Sequence, residues 1–421
     1  MAVIAENEGS PRYGIVGKSV LSEISGFDIA RCLDVLMSFH ALVNVAKRFA
    51  MLWFCKRLRE QPYSLYRKFN QVNERLLKIT PTSDVARAPR SLKERSDYRG
   101  HEWFHWVVEY SIPVLKNLLS ARFLNHLSFL VHAVALLMQN SVSKSELGYA
   151  SRYLLKFVTE IDQLYGPQHV TISVHLLTHL SASVRDFGQP WTHSAFVFES
   201  FNHDIKQFVK SSNGVALQIC QGVQLKVALK NLEECVKNDM TSSQKDFLQK
   251  LKTSNHSLVS PHLVIGGAAL LGQPKTISLT ANTIRFLQIG GVDCELKSSI
   301  CVYDRCVLNG ELYHSINYSR DTRQCNYITL LETGEVFCVE YFLVAQDCFV
   351  VGKIFKRNNV VKLCTQALPH ILVLDAEPQP ELKCFPASMI QSKLLSFSLD
   401  LSENLQARIA CINVLQSEML T

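Results

Sequence analysis

The sequence contains no uninterrupted apolar run long enough to cross a bilayer, which takes about 20 residues. The best candidate, residues 123–138, is interrupted by Asn125 and His132, and we predict a buried helix there. A signal-peptide pattern is also missing, because residues 1–13 have no basic stretch ahead of an apolar one. We therefore expect a protein that is not secreted and that has no membrane partner.

Cysteine pairs of the Cys-x-x-Cys type are absent, although the chain has 13 cysteines. An odd number of cysteines without a regular spacing excludes a disulfide-stapled scaffold, and it matches none of the common zinc fingers. Free thiols are typical of a reducing compartment. The expected location is therefore the nucleus or the cytoplasm.

Charge is unevenly distributed along the chain. The 421 residues are 47% apolar and 19% charged, which describes a globular chain of two or three domains and excludes a disordered tail. Residues 47–99, however, hold 14 Lys or Arg against 5 Asp or Glu. This surplus of +9 leaves only −2 for the rest of a chain whose net charge is +7. The basicity therefore belongs to one segment.

The basic segment predicts nucleic-acid binding, since cations neutralise phosphates and the aromatic residues among them can stack on bases. The side chains expected to bind are Lys47, Arg48, Lys56, Arg57, Arg59, Arg67, Lys68, Arg90, Lys93 and Arg95. The alternative interpretation is a set of amphipathic helices with solvated basic faces.

Two patterns of apolar residues divide the chain. Up to about residue 252, apolar residues recur at spacings of three and four, which is typical of α-helices, and Ser143 is a predicted N-cap. From residue 261, short β-branched and aromatic runs alternate with turns, which favours a small antiparallel β-barrel or sandwich. We predict an α+β fold. Its expected parts are an N-terminal tail 1–27, a helical domain 28–252, a linker 253–260, a β-rich barrel-like domain 261–376, and a C-terminal extension 377–421 with a weak helix at 404–415.

The segment His101-Glu102-Trp103-Phe104-His105 matches the H-E-x-x-H pattern. On a helix, this spacing puts both imidazoles on one face to hold zinc, with Glu102 as general base. The bulky apolar residues between them are equally typical of a core helix. A zinc hydrolase using His101, Glu102 and His105 is therefore one alternative function.

A second histidine pair, His175 and His179, is followed by a carboxylate in an aromatic environment. Glu199 stands among phenylalanines at the expected start of a helix, and a carboxylate in such surroundings needs compensation. The helix N-terminus, a divalent metal or the nearby Arg185 could each supply it.

These segments resemble a known family. His-Leu-Leu-Thr-His-Leu at 175–180, Val-Arg-Asp-Phe-Gly-Gln-Pro-Trp at 184–191 and Ser-Ala-Phe-Val-Phe-Glu-Ser-Phe-Asn at 194–202 are similar to the C-terminal domain of CACTA (En/Spm-type) DNA transposases and of proteins derived from them. Weaker pieces extend the resemblance over most of residues 28–360. The third segment is the most specific of them.

The resemblance implies a ribonuclease-H-like core of the DDE class, in which three carboxylates hold two metal ions for DNA strand transfer. Glu199 would be the third carboxylate. His175 and His179 would be half of a zinc site whose other half is a Cys-x-x-Cys. Asp34 is the candidate for the second acid, but five residues separate it from His40 where the family has two. Mg²⁺ or Zn²⁺ is expected only if this ancestral site still functions.

The departures from the family pattern predict a chain without activity of its own. The strand with the first aspartate is expected upstream of residue 1, so we expect a transposase-derived chain shortened at its N-terminus that is not an enzyme. Its expected partners are DNA and a second transposase-type subunit, either another copy or a related chain. The alternative is a metal-dependent strand-transfer enzyme completed by another polypeptide.

Overall fold

The computed structural model describes residues 20–26, 29–85, 87–193, 196–236, 240–245, 262–293, 299–318, 324–402 and 405–413. Most of the predicted N-terminal tail and the whole predicted linker 253–260 lie outside these ranges. No helix among the described residues is long and apolar enough to span a membrane.

The first half of the chain is helical, as predicted. Its helices are α1 Ile29–Phe54, α2 Phe69–Leu77, α3 Gly100–His105, α4 Ser111–Leu115, α5 Ala121–Leu137, α6 Lys144–Tyr165, α7 Ile172–Leu176, α8 Leu180–Phe187, α9 Phe196–Phe208 and α10 Val215–Val236. A π-helical turn, Trp106–Tyr110, joins α3 to α4. Helix α6 begins at the predicted N-cap, where the Ser143 hydroxyl accepts a hydrogen bond from the Glu146 amide.

The core of the helical half forms around α5, which is buried along most of its length, as predicted for residues 123–138. Aromatic rings join it to its neighbours: the Phe49 ring of α1 lies 5.6 Å from that of Phe157 and 4.9 Å from that of Tyr165, both on α6. His126 of α5 stacks on Phe157 at 4.4 Å. Burial of these large rings is the main favourable term for this half of the fold.

The second half is built from antiparallel strands, so the fold is α+β. The strands are β1 Leu263–Ile265, β2 Ala268–Leu271, β3 Lys275–Ser278, β4 Ser299–Tyr303, β5 Arg305–Leu308, β6 Glu311–His314, β7 Ile328–Leu331, β8 Val336–Val344, β9 Cys348–Phe355, β10 Ile371–Asp375, β11 Leu382–Pro386, β12 Ile390–Ser402 and β13 Leu405–Ile412, with one helix, α11 Ala281–Ile289, after β3.

These strands form two sheets. The smaller sheet has the order β1-β2-β5-β6, and the larger has the order β10-β13-β12-β7-β8-β4-β3, with β9 pairing with both β8 and β11. A closed barrel, one of the two arrangements predicted for this half, is not found among the described residues. The long strand β12 instead extends the larger sheet, because its first residues pair with β7 and its later residues pair with β13.

The C-terminal residues correct two expectations. The weak helix expected at 404–415 is the strand β13, and β12 and β13 form a hairpin rather than an appended extension. Leu399, Ile409 and Cys411 of this hairpin lie in the same hydrophobic core as the helices. Arg75 of α2 donates to the Asp400 carbonyl oxygen at 3.1 Å and to that of Lys116 at 2.6 Å. A short apolar run does not distinguish helix from strand by itself, and here its strand partner decides.

Candidate nucleic-acid interface

The loop between α1 and α2, residues 55–68, presents five of the ten predicted basic residues; we call it the basic loop. Contacts with the core of the helical half hold its backbone in place. The Leu65 amide donates to the Trp53 carbonyl oxygen at 2.7 Å, and the buried Tyr63 ring lies 5.8 Å from that of Phe123. Because Tyr63 and Leu65 face the core, the polar side chains between and around them face solvent.

Five cations of the basic loop are exposed and only one carboxylate accompanies them. Among the described residues, Lys56 and Arg57 have no ion-pair partner. Arg59 and Arg67 share the Glu60 carboxylate, at 3.2 and 2.9 Å. Such exposed pairs contribute little to stability, so these cations are available to a ligand.

The edge of the basic loop continues this surface. Lys68 donates to the Leu118 carbonyl oxygen at 2.7 Å. This hydrogen bond places the loop that precedes α5 next to the basic loop. Arg122, in the first turn of α5, is exposed and adjoins Phe123. Tyr66 is 37% exposed and stands beside Arg67. The surface therefore combines several cations with one accessible aromatic ring.

Three of the ten predicted binding residues are half-buried and hydrogen-bonded within the protein. Arg48 donates to the Gln168 carbonyl oxygen at 2.9 Å, and Arg95 donates to that of Leu92 at 2.9 Å. Arg90 holds the Glu102 carboxylate with two hydrogen bonds, at 2.6 and 2.9 Å. Sequence reasoning did not separate these side chains from the exposed ones, since charge alone carries no information about burial.

The two remaining predicted binding residues lie outside the basic loop. Lys47, on α1, and Lys93, in the short 3₁₀ segment Leu92–Asp97, are both exposed. Their positive charges therefore lie on other parts of the surface than the basic loop.

Glu102, the glutamate of the H-E-x-x-H motif, is held by structural contacts. Burial alone would raise the pKa of the Glu102 carboxyl, but hydrogen bonds from Arg90 and from the Arg99 amide hold that pKa below its ordinary value. Glu102 therefore caps helix α3 while paired with arginine. A general base must instead accept a proton from water.

The two histidines of this motif are both held in the helical core, and their Nε2 atoms have no hydrogen-bond partner among the described residues. His105 is buried, and its Nδ1 lies 2.9 Å from an oxygen of the equally buried Glu109. Burial lowers the pKa of His101 to about 4. No group of three or more His, Cys, Asp or Glu that could hold a metal is found in the described part of the chain. The sequence did not lead us to Glu109, although its position four residues after His105 on a helix predicts a contact between the two side chains.

The other predicted histidine pair, His175 and His179, is brought together at hydrogen-bond distance. The Nε2 atoms of His175 and His179 lie 3.3 Å apart, and His175 is exposed. Two Zn–N bonds of 2.0–2.1 Å at a tetrahedral angle span about 3.3 Å. The pair could therefore chelate one transition-metal ion, with water in the other positions.

We expect Zn²⁺ to raise the unfolding temperature of the wild-type chain and to have no such effect on a His179→Ala variant. The reason is mass action, since an ion that binds only the folded pair stabilises it. Differential scanning fluorimetry with and without Zn²⁺ measures this shift. A His262→Ala variant, which changes a histidine in the β-rich half, is the control and should keep the shift. An equal shift in His179→Ala would contradict the assignment.

The predicted acids Asp34 and Glu199 lie on helices α1 and α9, respectively, and their side chains fall outside the described residues.

Comparisons of this chain with protein-family models, with curated proteins and with solved structures found no match. The resemblance to CACTA transposases consequently remains a prediction from the motifs, and any function has to be argued from the surface itself.

Proposed function

We propose that this chain is a transposon-derived protein, with a helical half of ribonuclease-H-like ancestry, that binds nucleic acid through the basic loop and does not cut DNA by itself. The observation that carries the proposal is the composition of the basic loop: five exposed cations, Lys56, Arg57, Arg59, Arg67 and Lys68, with Glu60 as the sole carboxylate.

Phosphate is the ligand chemistry that suits this loop. A rigid backbone that presents several cations neutralises successive phosphates and releases their counterions, which makes binding strongly salt-dependent. With about four phosphate contacts, the affinity for duplex DNA should fall about 100-fold between 50 and 200 mM salt. Tyr66 adds a ring on which an unpaired base can stack. Binding of this kind needs no cofactor.

Reversing the charge of two loop residues should abolish most of the binding. We expect the Lys56→Glu/Arg57→Glu variant to bind a fluorescein-labelled 20-mer at least ten times more weakly than wild type at 50 mM salt. Each lost phosphate contact should reduce the salt slope by about 1. Fluorescence anisotropy over a salt series measures both quantities. Circular dichroism should not change, because both side chains are exposed.

The matched control reverses two exposed lysines elsewhere, Lys144 at the start of α6 and Lys356 after β9. The Lys144→Glu/Lys356→Glu variant has the same net charge as the loop variant. It should keep the wild-type affinity and the wild-type salt slope. If both variants lose affinity equally, net charge rather than the basic loop is responsible, and the proposal fails. Absence of any binding at low salt would also contradict it.

The absence of DNA cleavage is tested separately. Purified chain should not nick supercoiled plasmid in Mg²⁺ or Mn²⁺. Nicking that a Glu199→Gln variant abolishes would instead identify a strand-transfer enzyme, with its active site completed within a larger assembly.

A further inference from the structure

A groove follows the long loop between β9 and β10, residues 356–370, which contains no helix and no strand. Two recesses of about 490 and 670 Å³ form the groove, and they adjoin, because residues 362–365 line both. The first lies between the loop and residues 116–125, and the second between the loop, helix α5 and strand β10. We call the two recesses the loop groove. Ordered loops of more than about 12 residues without secondary structure are uncommon and usually functional.

The walls of the loop groove are tied to each other. The Thr365 amide donates to the side-chain oxygen of Asn125 on α5 at 3.0 Å. On the other side of the first recess, the Lys116 ammonium donates to the Lys362 carbonyl oxygen at 2.5 Å. Because the loop is bonded to the helical half at both points, the groove is formed before any ligand binds, which lowers the entropy that a ligand must offset.

The lining of the loop groove is positively charged. It includes Lys116, Arg357 and Lys362, and no Asp or Glu lines either recess within the part of the chain that the structure describes. Arg357 and Lys362 are exposed, and neither has an ion-pair partner among the described residues. A concave surface that carries one sign of charge concentrates ligands of the opposite sign. The expected ligand is therefore an anion.

Between these cations the lining is apolar and carries amide groups. Leu119, Leu124 and Leu363 are buried residues that form part of the first recess. Asn117 and Asn359, both exposed, add amide groups to the first and second recess, respectively. A small inorganic anion makes no use of an apolar wall. An unpaired nucleobase has an apolar face and a hydrogen-bonding edge, and it uses both kinds of group.

The loop groove adjoins the basic loop. Lys68 of the basic loop donates to the Leu118 carbonyl oxygen, and the residues on either side of Leu118, Asn117 and Leu119, line the first recess. A strand whose phosphates lie on the basic loop therefore continues directly into the groove.

We propose that the loop groove binds a single strand of nucleic acid, with phosphates at Arg357 and Lys362 and unpaired bases against the apolar lining. The inference rests on the proposed function, because the basic loop supplies the first phosphate contacts. Size selects the single strand. Recesses of roughly 300–1,000 Å³ enclose molecules of drug size, which admits one or two nucleotides and excludes a duplex. A duplex also keeps its bases stacked inside, whereas a single strand can turn them into the recesses.

The affinities for a single strand and for a duplex distinguish the two surfaces. We expect the Arg357→Glu/Lys362→Glu variant to bind a fluorescein-labelled thymidine 20-mer at least ten times more weakly than wild type at 50 mM salt, by fluorescence anisotropy. Its affinity for a duplex of the same length should stay within about twofold of wild type, since a duplex contacts only the basic loop. For the single strand, the salt slope should fall by about 0.7 for each lost phosphate contact. Circular dichroism should not change, because both side chains are exposed.

The matched control is the Lys144→Glu/Lys356→Glu variant, which has the same net charge and changes no residue of the groove lining. It should keep the wild-type affinity for both oligomers. An Arg357→Gln/Lys362→Gln variant removes the two charges without adding repulsion, and it should also bind the thymidine strand more weakly than wild type.

An abasic 20-mer, which keeps the phosphates and lacks the bases, tests the apolar lining. It should bind wild type at least ten times more weakly than the thymidine strand. Equal affinities for these two oligomers, or a groove variant that binds the thymidine strand as tightly as wild type, overturn the proposal. So does displacement of the strand by a glutamate 20-mer, which would identify an acidic peptide as the ligand.

Failure of this proposal is distinguishable from failure of the proposed function. If the Lys56→Glu/Arg57→Glu variant loses duplex binding while the Arg357→Glu/Lys362→Glu variant keeps full affinity for the single strand, the basic loop binds nucleic acid and the loop groove does not. If wild type binds neither oligomer at low salt, both proposals fail.

Discussion

A Leu399→Ala substitution in the C-terminal hairpin should lower the free energy of unfolding of the helical half by about 3 kcal/mol. Leu399 lies on strand β12, is 1% exposed and belongs to the same hydrophobic core as α1 and α5. Truncating it leaves a cavity that helices and sheet share. If the hairpin were an appended extension, as the sequence suggested, the substitution would not change the unfolding free energy of the helical half.

Tryptophan fluorescence makes this measurement specific. The four tryptophans, Trp53, Trp103, Trp106 and Trp191, all lie in the helical half. A lower urea midpoint of their fluorescence in Leu399→Ala therefore reports destabilised helices, although the substitution is in the sheet.

The neighbouring residue provides the control, because Ser398 is on the same strand but exposed. Ser398→Ala should change the unfolding free energy by no more than about 0.5 kcal/mol. A Leu399→Ala midpoint equal to that of wild type would show that the helices fold without the hairpin.

Lowering the pH from 7 to 5 should destabilise the fold through two buried histidines. Burial lowers the pKa of His126 and of His370 to about 4, from an ordinary value of 6.5. Each donates from Nε2 to a backbone carbonyl oxygen at 2.8 Å, His126 to Phe157 and His370 to Val108, while Nδ1 has no partner in the described part of the chain. Protonation would therefore place a charge on a buried nitrogen with nothing to accept its hydrogen.

The sign of the effect follows from the pKa difference between the two states. Well above pH 6.5 both histidines are neutral in the folded and in the unfolded chain, so their titration does not change the stability there. As the pH falls from 6.5 toward 4, only the unfolded chain takes up the protons, and stability is lost. At pH 5 the loss is about 2 kcal/mol for each histidine.

Urea midpoints at pH 7 and pH 5 test this dependence. A His126→Gln variant keeps an N–H donor but does not titrate, so its loss between pH 7 and pH 5 should be about 2 kcal/mol smaller than that of wild type. Phe157→Leu is the control, since it weakens the same cluster without removing a titrating group, and its pH dependence should match wild type. Equal pH dependence in all three proteins would rule out His126 as a cause.

Local patterns determined the elements that are recognisable within one segment. The Ser143 cap required only a serine and a glutamate three residues apart, and the burial of α5 followed from an apolar stretch too short for a membrane. Strand β9, Cys348–Phe355, is one of the short β-branched and aromatic runs that the sequence predicted from residue 261 onward. In each of these cases the controlling interactions are local or depend on the total apolar content.

The roles of the charged residues depended on distant contacts. Arg57 and Arg90 belong to the same basic segment, yet the first is exposed and the second is held by Glu102. The H-E-x-x-H motif has the spacing of a zinc site, but Arg90 holds the carboxylate of Glu102, the side chain that would act as general base. Spacing along a helix specifies which side chains share a face, and it does not specify what the rest of the fold brings to that face.

By itself, then, the sequence determined the α+β class, the helical first half, the buried α5 and the concentration of positive charge in residues 47–99. Only the tertiary structure decided that β13 is a strand, because its second partner, β10, and the helical core that it covers are distant in sequence. It also decided which cations of the basic segment are exposed and which are held by contacts within the fold. Burial and pairing are properties of the assembled chain, since each requires a second surface that no local pattern contains.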